Sequence, residues 1–169
     1  MTNLKTVFAA GAAMAALGLG ATGAHAATAT ADATAEILQQ VQIAQVSDLN
    51  FGTIVPDSVA SGVVSVSANA AGTRSCAANL TCAGAASVTS ASFDVTGANG
   101  LNVDITGLGG LTQLSDGTNN MAIALNGSAA TLAMTGSAVS LYVGGDLTVG
   151  ANQPAGVYSG SFTVTADYQ

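Results

Sequence analysis

Gly156-Val157-Tyr158-Ser159-Gly160-Ser161-Phe162-Thr163-Val164-Thr165-Ala166-Asp167-Tyr168-Gln169 carries the clearest periodicity in the chain. Tyr158, Phe162, Val164, Ala166 and Tyr168 recur at even positions, while Ser159, Ser161, Thr163, Thr165 and Asp167 take the odd ones. A period of two is that of a half-buried β-strand, so the segment reads as one long strand with an apolar and a polar face.

Upstream, the same pattern repeats in short runs. Val64, Val66 and Ala68 share a face, as do Ala91, Phe93 and Val95, then Leu101, Val103 and Ile105. Further runs are Met121-Ile123-Leu125, Ala130-Leu132-Met134 and Val139-Leu141-Val143, with Leu147 and Val149 before the terminal strand. Gly97-Ala98-Asn99-Gly100, Ser115-Asp116-Gly117, Asn126-Gly127 and Gly144-Gly145-Asp146 stand between the runs as breakers. That spacing predicts an all-β, immunoglobulin-like sandwich of about eight or nine antiparallel strands with almost no helix. The many alanines favour helix by propensity, yet they alternate with Thr, Ser and Val, and the period decides.

The first 26 residues read as a secretory signal peptide: Lys5, then an uncharged run of small and apolar residues from Val7 to Gly23, then the A-x-A site Ala24-His25-Ala26. Gly18-Leu19-Gly20-Ala21-Thr22-Gly23 matches G-x-G-x-x-G, but no strand precedes it and it lies in the leader. No later stretch is apolar and long enough for an integral membrane segment. Removing the leader takes away the single His and one of the two cations, and leaves Arg74 against nine carboxylates. Nucleic acid needs clustered Lys and Arg, so it is excluded as a partner. Neither a Ser-His-Asp triad, a Cys-His pair nor a His-built zinc site can be assembled, and the chain is not read as an enzyme. No cofactor or metal is expected.

With no Trp, three Tyr and four Phe, one of them (Phe8) in the leader, the core must be thin and aliphatic. Residues 39–169 form the predicted sandwich domain, and residues 27–38 an N-terminal extension. In the extension Ala29, Ala31, Ala33, Ala35 and Ile37 alternate with Thr30, Asp32, Thr34, Glu36 and Leu38. This segment is a candidate donor strand for a neighbouring subunit, the first strand of its own sandwich, or a flexible leader.

Cys76 and Cys82, with five residues between them, imply a disulfide in an exported chain; the spacing is not C-x-x-C, and no third Cys completes a metal site. Asp116 with Asn119 and Asn120 offers oxygen ligands for calcium or, more simply, an Asx turn. Asp94 and Asp104 fall on polar strand faces, and nothing in the spacing singles out a glycosidase pair. Asn79-Leu80-Thr81 and Asn126-Gly127-Ser128 match the glycosylation sequon but carry little weight in a bacterial export context.

Ser47-Asp48-Leu49-Asn50-Phe51-Gly52-Thr53-Ile54, Leu147-Thr148-Val149-Gly150 and the turn Pro154–Gly160 together resemble a family of exported bacterial β proteins known as domain of unknown function 4402, over roughly residues 35–169. That resemblance implies a sandwich and assigns no activity. Gly156, fourteen residues from the end, the alternating terminal run and the penultimate Tyr168 also resemble the C-terminal signature of chaperone–usher pilus subunits, spore-coat-like relatives included. The close cysteines depart from classical subunits, which pair distant strands, and point to a divergent or archaic branch. This second resemblance implies a structural subunit of a surface fibre or coat that assembles by strand donation. Its partners would be neighbouring copies or related subunits, a periplasmic chaperone and an outer-membrane usher. The assembly edge would be Gly156, Tyr158, Phe162, Val164, Ala166 and Tyr168, and the location the surface or periplasm of a Gram-negative bacterium. The alternative is a monomeric secreted or periplasmic binding module or adhesin, against which the scarcity of exposed aromatics counts, Tyr142 being the one candidate.

Overall fold

The computed structural model describes residues 26–83 and 88–169; the expected leader therefore lies outside the described residues, save Ala26. Two compact units divide the chain, Met1–Glu36 and Ile37–Gln169. Of the first unit, residues 26–36 are exposed and in no strand or helix. All twelve strands lie in the second, and the one helical turn among the described residues is the 3-10 segment Leu108–Gly110. No helix of the described residues is long and apolar enough to cross a membrane.

The strands are β1 (Gln42–Ser47), β2 (Thr53–Val55), β3 (Gly62–Val66), β4 (Arg74–Cys76), β5 (Thr81–Ala83), β6 (Ala91–Thr96), β7 (Asn102–Thr106), β8 (Gln113–Ser115), β9 (Asn120–Gly127), β10 (Thr131–Ala133), β11 (Val139–Val149) and β12 (Thr165–Tyr168). All pairings are antiparallel. The seven-stranded sheet runs β1-β6-β11-β3-β4, with β9 on β11 and β8 on β9; the smaller sheets are β10-β7-β12 and β2-β5. The architecture is all-β and sandwich-like. The count exceeds eight or nine because β2, β4, β5 and β8 are each three residues long, too short to show a period.

β11 organises the molecule. Val143 pairs with Ala91 of β6 and with Gly127 of β9, and Leu147 pairs with Val64 of β3 and with Ile123 of β9. So β9 lines one edge of β11, while the other edge passes from β6 to β3 at Gly144. Gly144-Gly145-Asp146, expected to break the chain, lies inside this single strand. The glycines answer to close backbone approach instead: a Cβ on Gly144 would stand 2.1 Å from the Val66 carbonyl oxygen, and one on Gly145 would stand 2.8 Å from that of Ala124.

The two halves of β11 feed two cores. Leu141 and Val143 join Ala91 and Val95 of β6, Val103 and Ile105 of β7, and Leu132, Met134 and Val164. Leu147 and Val149 join Val64 and Val66 of β3, Met121 and Ile123 of β9, and Phe51 and Leu80. At about 25 cal/mol per Å² of apolar area, these small aliphatic chains stabilise the fold mainly by their number. The Cys76–Cys82 disulfide joins β4 of the large sheet to β5 of the two-stranded sheet, beside the second core.

The C-terminal stretch departs from the expected long strand. Only Thr165–Tyr168 pairs with β7, and Ser159 makes an isolated bridge to Ser115. The cause lies in the partner: after Thr106 the chain turns at Gly107 (φ 94°) into the 3-10 segment, so residues 160–164 have no strand beside them. Gly107 packs against the Thr163 carbonyl, where a Cβ would come to 2.4 Å. The alternation of faces nevertheless persists. Val164 is buried and Phe162, Ala166 and Tyr168 are half-buried, while Ser161, Thr163, Thr165 and Asp167 are exposed.

Candidate functional site

β12 is an edge strand, held by β7 alone. Gln169 N donates to Asn102 O, and antiparallel alternation then turns the main-chain groups of Thr165 and Asp167 toward β7. The N–H and C=O of Val164, Ala166 and Tyr168 face the open side. Among the described residues no backbone hydrogen bond reaches them there.

Across from this edge lies β1, the edge strand of the large sheet, which comes within 8 Å of β12. Ile43 of β1 stands opposite Val95, on the same side as a fully buried residue, yet is itself 36% exposed. The small sheet stops at β12. The slot thus has an unpaired strand edge, that of β12, and close to it a strand, β1, that carries a partly exposed apolar side chain.

Tyr168 fastens the slot at one end. Its ring packs against the first core, and its hydroxyl donates to Gln39 O at 2.7 Å and accepts from Ala98 N at 2.5 Å. Gly97 leaves room for this, since a Cβ there would lie 2.9 Å from the hydroxyl oxygen. Phe162 meets Phe93 edge-to-face across the sandwich, with centroids 6.2 Å apart.

The expected assembly residues do not all share this site. Phe162, Val164, Ala166 and Tyr168 line the first core, whereas Tyr158 packs on the second and its hydroxyl donates to Pro154 O. Gly156 is exposed and lies against Asp116, where a Cβ would come to 3.2 Å from Oδ2. Ala29, Ala31, Ala33 and Ala35 are exposed in a segment without strand or helix, and Ile37 is 95% exposed at the start of the folded unit. Sequence reading missed β1, although Val41 and Ile43 alternate with Gln40 and Gln42 there. It also missed the Tyr168 hydroxyl bonds, which no local pattern encodes.

The polar candidates serve the fold. Asp116 Oδ1 accepts from Thr118 N and Asn119 N, and Oδ2 from the Asn119 amide. These bonds, the Asn119 side chain foremost, hold its pKa down to about 2. The carboxylate is thus committed to its own turn, as the Asx reading expects. Asp57 is lowered in the same way by the N–H groups of Ala60 and Val59. Asp94 accepts from Ser140, and Asp104 from Thr131 and Gln169. Among the described residues no three His, Cys, Asp or Glu side chains converge on a metal-sized site. The Asn79 amide is spent on the carbonyls of Ala60 and Ser61.

No curated protein and no solved structure matches this chain. A family model does, over residues 41–168, which span the slot, both cores and the disulfide. The chain belongs to the family described as Domain of unknown function (DUF4402).

Proposed function

We propose that this chain is a structural subunit of a bacterial surface fibre, pilus- or fimbria-like, or of a surface coat, built by β-strand donation. Residues 27–38 of one copy pair with the open edge of β12 in the next. The observation that carries this reading is the unpaired outer edge of β12, at the main-chain groups of Ala166 and Tyr168, close to strand β1 with its partly exposed Ile43. Reach agrees with it, because a twelve-residue arm extends to about 40 Å, well beyond the roughly 13 Å that the four-residue edge of β12 spans. Chemistry agrees as well. Alanines at alternate positions suit shallow pockets, and burying the Ile37 side chain would contribute about 1.5–3 kcal/mol. A periplasmic chaperone shielding the slot before assembly, an outer-membrane usher and a location on the surface of a Gram-negative cell follow from the same reading.

Removing residues 27–38 tests it. The shortened chain is expected to lose SDS-resistant ladders on unboiled gels while remaining folded and able to accept a partner's strand. Ladders that persist without the arm would overturn residues 27–38 as the donor.

A further inference from the structure

We infer that Leu38–Val41 is a strap that gates the slot, resting on the strand-donation reading above. These residues and Ala166–Tyr168 together line a cavity of about 370 Å³. The strap lies along the open edge of β12 without joining it. No ladder forms between the two, and the bond from the Tyr168 hydroxyl to Gln39 O is the single hydrogen bond between them. The main-chain groups of Ala166 and Tyr168 stay unpaired beneath it. A segment that covers an edge while leaving its hydrogen-bonding groups unsatisfied is a cover rather than a strand, and an incoming strand gains more bonds than the strap gives up.

The strap is also the root of the arm, since the chain runs from residues 27–36 through Ile37 directly into it. Donor and acceptor are therefore mechanically joined. When a neighbour takes the arm, the pull on Leu38 and Gln39 opposes the Tyr168 bond and clears the β12 edge of the same subunit. A subunit that has donated becomes the better acceptor, which orders growth and disfavours capture of strands by free monomers.

The test follows entry of a labelled synthetic peptide of residues 27–37 into the whole chain without its leader, at concentrations where the chain is monomeric. Tyr168→Phe keeps the ring and removes the hydroxyl; it is expected to accept the peptide about fivefold faster, the equivalent of one hydrogen bond of ~1 kcal/mol. Because that change also strips Ala98 N of its acceptor, the double variant Leu38→Gly/Gln40→Gly is measured beside it. This variant loosens the strap and leaves Tyr168 bonded to Ala98, and the same acceleration is expected. Equal rates in wild type and in both variants would overturn the gate while leaving strand donation intact. Absence of peptide entry in all three would overturn both.

Discussion

Replacing Gly144 by alanine tests the architecture at its narrowest point. The added Cβ would fall 2.1 Å from Val66 O, 2.7 Å from Ala68 N and 2.8 Å from the Ser67 carbonyl carbon, all backbone atoms with no side-chain freedom to yield. Relief requires β3 and β11 to part where β11 exchanges β6 for β3, which loosens the register that buries Leu147 and Val149. Overpacking typically costs about 1–3 kcal/mol, and a contact wholly with main chain belongs at or above the upper end. For a domain of this size that corresponds to a fall in Tm of about 6–12 °C. Gly109, with nothing within 4 Å of its Cβ position, supplies the control, since Gly109→Ala should stay within about 0.5 kcal/mol of wild type. Equilibrium urea unfolding of the two variants, read as shifts in midpoint at constant slope, separates them. Stabilities within 1 kcal/mol of each other would refute the claim that close backbone approach fixes glycine here.

Asp116→Ala should destabilise the chain near neutral pH, with the difference fading in acid. The carboxyl sits near 2 when folded against 3.8 as its ordinary value, so its contribution is present above pH 4 and is lost as pH falls toward 2; melting of both proteins from pH 6 to pH 2 measures the convergence. Joint replacement of Cys76 and Cys82 by serine should cost about 2 kcal/mol, the chain-entropy value for so short a loop, in urea unfolding under non-reducing conditions. Asp167 stands directly opposite Asp104 in the β7–β12 ladder, so Asp167→Asn should stabilise by about 0.2–1 kcal/mol, an effect that shrinks in high salt. Val164→Asp places a charge in the first core and should cost several kcal/mol, whereas Thr163→Ala on the exposed side should be near neutral; surface and periplasmic immunoblots, alongside melting, would report both.

Facing was legible in the sequence where pairing was not. Val64 and Val66, Val103 and Ile105, and Leu141 and Val143 point inward as their period requires, because side-chain alternation belongs to the single strand. Pairing depends on a second segment. The terminal stretch keeps its alternation from Phe162 to Tyr168 but forms a ladder over four residues only, since β7 ends at Thr106 and Gly107 turns away. Gly144-Gly145 carries the composition of a turn, and only the positions of Val66 O and Ala124 O reveal why a strand keeps glycine there. The candidate site divided along the same line. Phe162, Val164, Ala166 and Tyr168 could be read from the chain, while the unpaired edge and the exposure of Ile43 appear only once β1 and β12 face each other.

The two cores are closed by different means, and that difference joins the fold to the proposed assembly. The second has Phe51 and Leu80 over it and the Cys76–Cys82 bond beside it, tying β4 to β5. A covalent bond within one chain thus lies against this core. The first has no such bond. Its small sheet ends at β12, Ile43 is partly exposed, and Val164 is held in the core by a segment without strand partners. On the proposed assembly one more strand completes it, supplied by an arm that forms no strand of its own. With no Trp and few Phe or Tyr, both cores are built mainly from small aliphatic side chains, so on the proposed assembly a subunit completed by its neighbour should be more stable than a free one. On the proposed assembly, the force that finishes the fold would be the same as the one that holds the fibre together.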